Sequence, residues 1–162
     1  MIKFFHNDWD ENGLKILKAQ NHNLDHWVCD KYFVSMLNEE VFHLAMITSE
    51  PENSCELKSI ANWRPALDSG LDKEQRRTLR NMHIYRTFHW IFETLGYDSV
   101  FSFIKEGEPK VRRILIDING GAAGTTETIT NQGVSLLRWC YTKKEFETGI
   151  LYENMQKSIH NF

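Results

Sequence analysis

DKEQRRTLRNMHIYRTFHWIFETLGYDSVFSFI, residues 72–104, decides the fold of this chain. Ile84, Phe88, Ile91, Phe92 and Leu95 recur at i, i+4, i+7, i+8 and i+11, the spacing that gathers apolar side chains on one face of an α-helix. A helix is therefore predicted from about Asp72 to Leu95. Ser69 with Asp72 three residues on makes a start resembling a capping box, and Gly96 supplies the left-handed residue that commonly ends a helix. Beyond it, Asp98–Ile104 alternates and is rich in β-formers, which predicts a strand. The apolar face of such a helix needs a sheet to pack against, so a mixed α+β fold is expected.

Working back from Asp72, residues 65–70 break the pattern with proline and glycine. VFHLAMIT, Val41–Thr48, is a continuous apolar run of strand length, SEPENS reads as a loop, and Cys55–Trp63 resumes as a strand, together predicting an antiparallel hairpin. Ile2–Phe5 predicts a short opening strand. Asp8–Ala19 reads as a helix with Leu14, Leu17 and Trp9 to one side, and Leu24–Leu37 as a second helix.

Working forward, GEPKVRRILIDINGG (107–121) is two-sided. Val111, Ile114, Leu115 and Ile118 have helical spacing, whereas the β-branched residues suit a strand. Pro109 in a first turn and Gly120 as a left-handed cap favour the helix. Gly121–Thr130 and Val134–Phe146 read as strands joined at the turn Asn131-Gln132-Gly133. In the tail, 150–162, Leu151, Met155, Ile159 and Phe162 predict an amphipathic helix that either covers its own sheet or faces a protein partner.

Composition sets the outer limits. At 162 residues one domain, 1–162, is the simplest organisation, and a chain of this size buries roughly 70% of its unfolded surface. Nineteen basic against 22 acidic residues, net −3, give no general attraction to nucleic acid. MIKFFHNDWDENG turns acidic too early for a secretory leader, and no apolar run nears the roughly 20 residues of a membrane span, so a cytoplasmic or packaged protein without membrane contact is expected. Cys29, Cys55 and Cys140 are odd in number and far apart, which predicts free thiols.

The order strand, helices, hairpin, long helix, strand, short helix and strand pair resembles that of the acetyl-CoA-dependent N-acyltransferases of the GNAT superfamily. The resemblance is strongest from Gly70 to Phe146. LGYDSVFSFI (95–104) is similar to the end of that family's long helix with the strand after it, and VRRILIDING (111–120) to its following helix. Within the superfamily the chain looks most like the acyltransferase-like internal virion proteins of short-tailed phages. They share the basic start of the long helix, a short R-x-L helix ending in glycine, and a hairpin finish.

The resemblance implies transfer of an acetyl group from acetyl-CoA to an amine, with the pyrophosphate at the amino end of the long helix. Free N–H groups and the helix dipole favour an anion there. On the family's Q/R-x-x-G-x-G/A loop, the matching residues are Gln75, Arg76, Arg77, Thr78, Leu79 and Arg80. Gln75 fits the first position, while Thr78 and Arg80 stand where small residues would be. Leu115 stands where many members carry a tyrosine that protonates the leaving thiolate. Glu56 is the nearest match to a general base. These departures admit a second outcome, a GNAT-fold protein of virion or host-directed function that has lost catalysis.

Other features carry bland and sharp readings side by side. Arg76, Arg77 and Arg80 oppose the helix dipole, which a bound anion would offset, as would local pairs Asp72–Arg76 and Glu74–Arg77. HNLDHWVCD spaces His22, His26 and Cys29 for one helical face, a metal-like pattern without a fourth cluster, so no metal is expected. His83 and His89 are read as structural rather than catalytic, and Trp63 with Arg64 as a strand-end anchor that could also stack a base.

Overall fold

The computed structural model describes residues 2–7, 30–37, 40–61, 70–105 and 124–160. Seven strands lie among them: β1 Ile2–Asn7, β2 Lys31–Leu37, β3 Glu40–Glu50, β4 Ser54–Ala61, β5 Ser99–Lys105, β6 Thr125–Asn131 and β7 Val134–Thr142. The α-helices are α1 Lys73–His89, α2 Lys143–Glu147 and α3 Ile150–His160. These residues form two compact units. One comprises Met1–Ser49 and Leu57–His83, the other Glu50–Glu56 and Ile84–Phe162.

In the first unit the strand order is β1-β2-β3-β4, and β1/β2 and β2/β3 are antiparallel. β2 corrects the sequence reading, which had Leu24–Leu37 as a helix. KYFVSML is a strand because Tyr32, Phe33 and Val34 are β-formers and because β1 and β3 satisfy its backbone from both sides. Phe33, Val34, Ser35 and Leu37 are buried, so tertiary pairing overrides a short apolar run's local ambiguity. On the helix side, Leu37 and Leu79 form a core cluster with Leu71 and Met82 against them.

β3 extends further than expected at both ends and β4 begins one residue earlier, at Ser54, so the predicted SEPENS loop shrinks to a turn at Pro51–Asn53. Glu52 and Asn53 take positive φ (62° and 54°). Asn53 is locked by its side-chain donation to the Gly96 carbonyl at 2.9 Å and by the Asp98 N–H on its own carbonyl at 2.9 Å.

In the second unit the order is β4-β5-β7-β6. β4 meets β5 in parallel over Ser54–Glu56 and Ser99–Phe101, and the remaining pairs are antiparallel. β6 and β7 turn at Gln132-Gly133, both at positive φ (51° and 78°), the geometry a two-residue hairpin of this twist requires. The helical backbone continues past α1 as a π-helical turn, Trp90–Thr94, that buries Trp90, Ile91 and Phe92 together. Phe88 and Phe92 pack on Tyr141 at ring separations of 5.1 and 6.0 Å, with Phe146 at 5.6 Å from Phe92.

β7 stops at Thr142 rather than running to Phe146. The sequence T-x-x-E makes a capping box there: the Thr142 hydroxyl oxygen accepts from the Glu145 N–H at 3.2 Å and Glu145 accepts from the Thr142 N–H at 3.2 Å. This starts α2 and swings Phe146 into the core at 1% exposure. α3 then docks on its own unit through buried Leu151, the Tyr152–Phe146 ring contact at 5.2 Å, and Gln156 donating to the Tyr85 hydroxyl at 2.7 Å. Asp8–Ala19, 24–29, Trp63 with Arg64, Ser69 and 107–121 lie outside the described residues.

Candidate functional site

Gln75, Arg76, Arg77, Thr78, Leu79 and Arg80 share the opening turns of α1, in the first unit. Gly70, at φ +77°, turns the chain just before them. The capping pair among the described residues is Asp72–Gln75; Ser69, the other half of the expected start, lies outside them. The Asp72 carboxylate accepts from the Gln75 N–H at 2.8 Å, and the Gln75 amide oxygen accepts from the Asp72 N–H at 2.9 Å. Sequence reasoning did not single out this pair, although D-x-x-Q is itself a capping-box signature.

The local ion pairs expected for the arginines do not form. Arg76 donates from Nη1 to the Leu71 carbonyl at 2.7 Å, and its N–H reaches the Asp72 carbonyl at 3.0 Å. No Asp72–Arg76 or Glu74–Arg77 pair exists among the described residues, since Asp72 is committed to the cap. Thr78 donates to the Glu74 carbonyl at 3.1 Å. Leu79 is 2% exposed and belongs to the core, so only its backbone is open to a ligand. Arg80 holds the Asn81 side-chain oxygen through Nε and Nη2 at 3.2 and 3.1 Å. Arg77 points to solvent.

An anion arriving at this helix end would meet the N–H groups of Lys73 and Glu74, which have no intrahelical partner, and the Arg77 guanidinium nearby. It would also meet the Asp72 carboxylate, which repels it. The side chains of Thr78 and Arg80 occupy positions where the resembled loop has none. The fit to a pyrophosphate is therefore partial.

Glu56 stands elsewhere, in the second unit near the start of β4. Its neighbours Cys55 and Leu57 are buried on one face, and Glu56 is half-buried on the other. Its Cα partner across the parallel pairing is Phe101. The Phe101 ring lies edge-on to Phe103 at 5.7 Å and carries the Arg138 guanidinium at 4.4 Å. Arg138 in turn pairs with Glu127 at 3.0 Å. Glu56 thus shares a sheet face with Phe101, whose ring is already covered by the Arg138 guanidinium that pairs with Glu127.

Burial pushes the Cys55 thiol up to about 12, so it is no nucleophile at neutral pH. Cys55 and Cys140 are both free, as expected. No group of three or more metal-binding side chains occurs among the described residues, and His22, His26 and Cys29 lie outside them. No helix among the described residues is long and apolar enough to cross a membrane.

Solved structures of similar architecture include acetyltransferases. A spermidine N-acetyltransferase chimera of Vibrio cholerae SpeG and hSSAT matches 90% of this chain and 97% of its own, with a TM-score of 0.58 and 13% identity. The dodecameric spermidine N-acetyltransferase of Vibrio cholerae in an intermediate state matches 90% and 95%, at 0.55 and 13%. A Bacillus subtilis acetyltransferase in complex with CoA matches 88% and 99%, at 0.53 and 8%. No family model and no curated protein matches the sequence. At such identities the likeness is one of architecture: the chain has a GNAT-like acyltransferase fold, a mostly antiparallel sheet with helices.

Proposed function

We propose that residues 1–162 work as one GNAT-type domain that takes an acyl-CoA, acetyl-CoA in the simplest case, and passes the acyl group to an amine. The observation that carries this reading is the match of 90% of the chain to an N-acetyltransferase fold covering 97% of that protein. The amino end of α1, with the N–H groups of Lys73 and Glu74 and the Arg77 side chain, is assigned to the pyrophosphate. Arg76 serves by bracing Leu71, and Gln75 by fixing the first turn.

The chemistry asked of the site is modest. The amine lone pair attacks the thioester carbonyl, the C–S bond breaks, and the thiolate takes up a proton. Glu56 is assigned to relieve the amine of its proton, directly or through water. Leu115, which cannot donate one, leaves thiolate protonation to solvent.

A second reading has an observation of its own. The Asp72 carboxylate placed on the helix end opposes a phosphate, which favours a GNAT-fold protein that binds a partner and does no chemistry, of the phage virion or host-directed kind that the sequence resembles. The burial of Leu151 within the second unit accounts for part of the tail's apolar stripe without such a partner.

Thermal unfolding with CoA and acetyl-CoA separates the two. A ligand held only by the folded state stabilises it by about 2.7 kcal/mol at 100 times its dissociation constant. A clear rise in Tm followed by CoA release in the presence of a panel of amines supports the enzyme. No shift at millimolar acetyl-CoA leaves the association reading.

A further inference from the structure

β6 ends the strand order, beyond β7, and among the described residues it pairs with β7 alone. The pairing runs without a register shift from Thr125↔Cys140 to Asn131↔Val134, where Gln132-Gly133 turns the chain. In an antiparallel ladder alternate residues turn their N–H and C=O groups towards the neighbour and away from it. A two-residue turn closes on a hydrogen-bonded pair, here Asn131 and Val134, so Ile129, Glu127 and Thr125 also turn theirs to β7. Thr126, Thr128 and Thr130 therefore aim their backbone groups off the edge of the sheet, and all three are exposed.

Natural sheets blunt such an edge with proline, lysine, an inward-pointing charge or a bulge. The strand TTETITN carries none of these. Threonine and isoleucine are strand formers, and the strand's single charge, Glu127, is already matched by Arg138 at 3.0 Å. An edge of this make-up is a template for one more strand.

The row of outward residues is symmetric about Thr128, which selects a second copy of the chain as that strand. With Thr128 on a two-fold axis, antiparallel pairing sets Thr128 opposite Thr128 of the second copy and Thr126 opposite its Thr130. Each pair exchanges both of its backbone hydrogen bonds, and threonines opposite one another are a favourable cross-strand pair. On the other face Glu127 comes opposite Ile129 of the second copy, so the two like charges are not directly opposed. Centring the axis on Glu127 instead would set them face to face.

We infer that β6 is a self-association edge, along which two copies of this chain pair β6 to β6, antiparallel about a two-fold axis through Thr128. The inference goes beyond the acyltransferase reading and uses neither the amino end of α1 nor Glu56. A seam of one strand pair is small beside the roughly 1,600 Å² of a standard interface, so dimer and monomer exchange with concentration.

Sedimentation velocity of the intact chain, from about 1 µM to about 1 mM, tests this by following the shift from monomer to dimer. Thr128→Lys sets two ammonium groups opposite each other at the axis while the side chain stays exposed. It should raise the dimer dissociation constant by about tenfold or more. Monomer at every concentration, a species larger than the dimer, or a dimer that Thr128→Lys leaves unchanged overturns the inference. Should that variant fail to fold, hydrogen exchange of the unsubstituted chain decides. Amides of Thr126, Thr128 and Thr130 that gain protection on concentration, beside unchanged Glu127 and Ile129, support it. Edge amides equally protected in dilute and concentrated samples refute it.

Discussion

Asp72 and Gln75 close the amino end of α1 on each other, backbone to side chain in both directions, at 2.8 and 2.9 Å. The same two residues thus stiffen the helix start and put a negative charge where the acyltransferase reading wants a phosphate. Asp72→Asn keeps a capping oxygen and removes the charge, so under that reading it should tighten CoA binding several-fold, in line with the ~0.3–1 kcal/mol of a charge at a helix end. Asp72→Ala should instead lower stability by about 0.5–2 kcal/mol. Calorimetric titration with CoA and a denaturant melt distinguish the two effects.

Arg76 and Arg77 separate a structural from a ligand-facing role within two adjacent positions. Arg76→Ala loses the donor to the Leu71 carbonyl and should cost about 0.5–1.5 kcal/mol of stability. Arg77→Ala should leave the melt unchanged, because the side chain is exposed. With both replaced by Glu, CoA retention should vanish; binding that survives the double substitution removes this helix end from the site.

Phe146 is the hub of the second unit's aromatic packing, 1% exposed and within 6.4 Å, centre to centre, of Tyr85, Phe88, Phe92, Tyr141 and Tyr152. Phe146→Ala should destabilise by about 3–5 kcal/mol and erase much of the near-ultraviolet circular dichroism. A loss under 1 kcal/mol would mean that the cluster collapses around the void.

Gly124 enters β6 at φ +78°, and a Cβ there would run into the Cys140 carbonyl oxygen and come within 2.8 Å of Trp139 Nε1. The colliding atom is backbone, so it cannot swing away. Gly124→Ala should cost at least about 1–3 kcal/mol, read as a shifted urea midpoint at unchanged slope.

The tail gives a prediction of opposite sign for its two roles. Leu151 is 3% exposed within the second unit. Deleting 150–162 should therefore lower the Tm sharply while light scattering shows the same association state. Leu151→Ala alone should cost about 2–5 kcal/mol. A change of mass with an unchanged melt would instead make the tail a partner surface.

Much of the architecture was legible because the decisive stretch is long and strictly periodic. Ile84, Phe88, Ile91 and Phe92 announce one buried face over nine residues, and Phe88, Ile91 and Phe92 are indeed buried. Turns written in glycine and asparagine, such as Gln132-Gly133 and the stop at Gly96, were equally readable, since positive φ is a property of single residues. Thr142–Glu145 shows the limit of the method. Its capping box was there to read, but the apolar run around it suggested a longer strand.

The candidate site was less legible. Fold resemblance named the helix end and Glu56 as candidates, yet the roles of Asp72, Gln75 and Arg76 depend on which backbone group each side chain reaches, and several options were open in sequence. Nor could any spacing rule announce the meeting of Ser35 and His43 with His83, which lies 40 and more positions further along the chain.

By itself the sequence determined what is local: the long helix, the strands with clear alternation, the turns, and the absence of a net basic charge. Tertiary structure alone decided that Lys31–Leu37 is a strand, that the expected arginine pairs give way to a cap, and that three polar residues meet in a dry core. The physical reason is that local preferences differ by a kcal/mol or less per residue, whereas leaving a buried backbone or ring nitrogen without its partner costs about 1–3 kcal/mol, so long-range pairing wins wherever the two disagree.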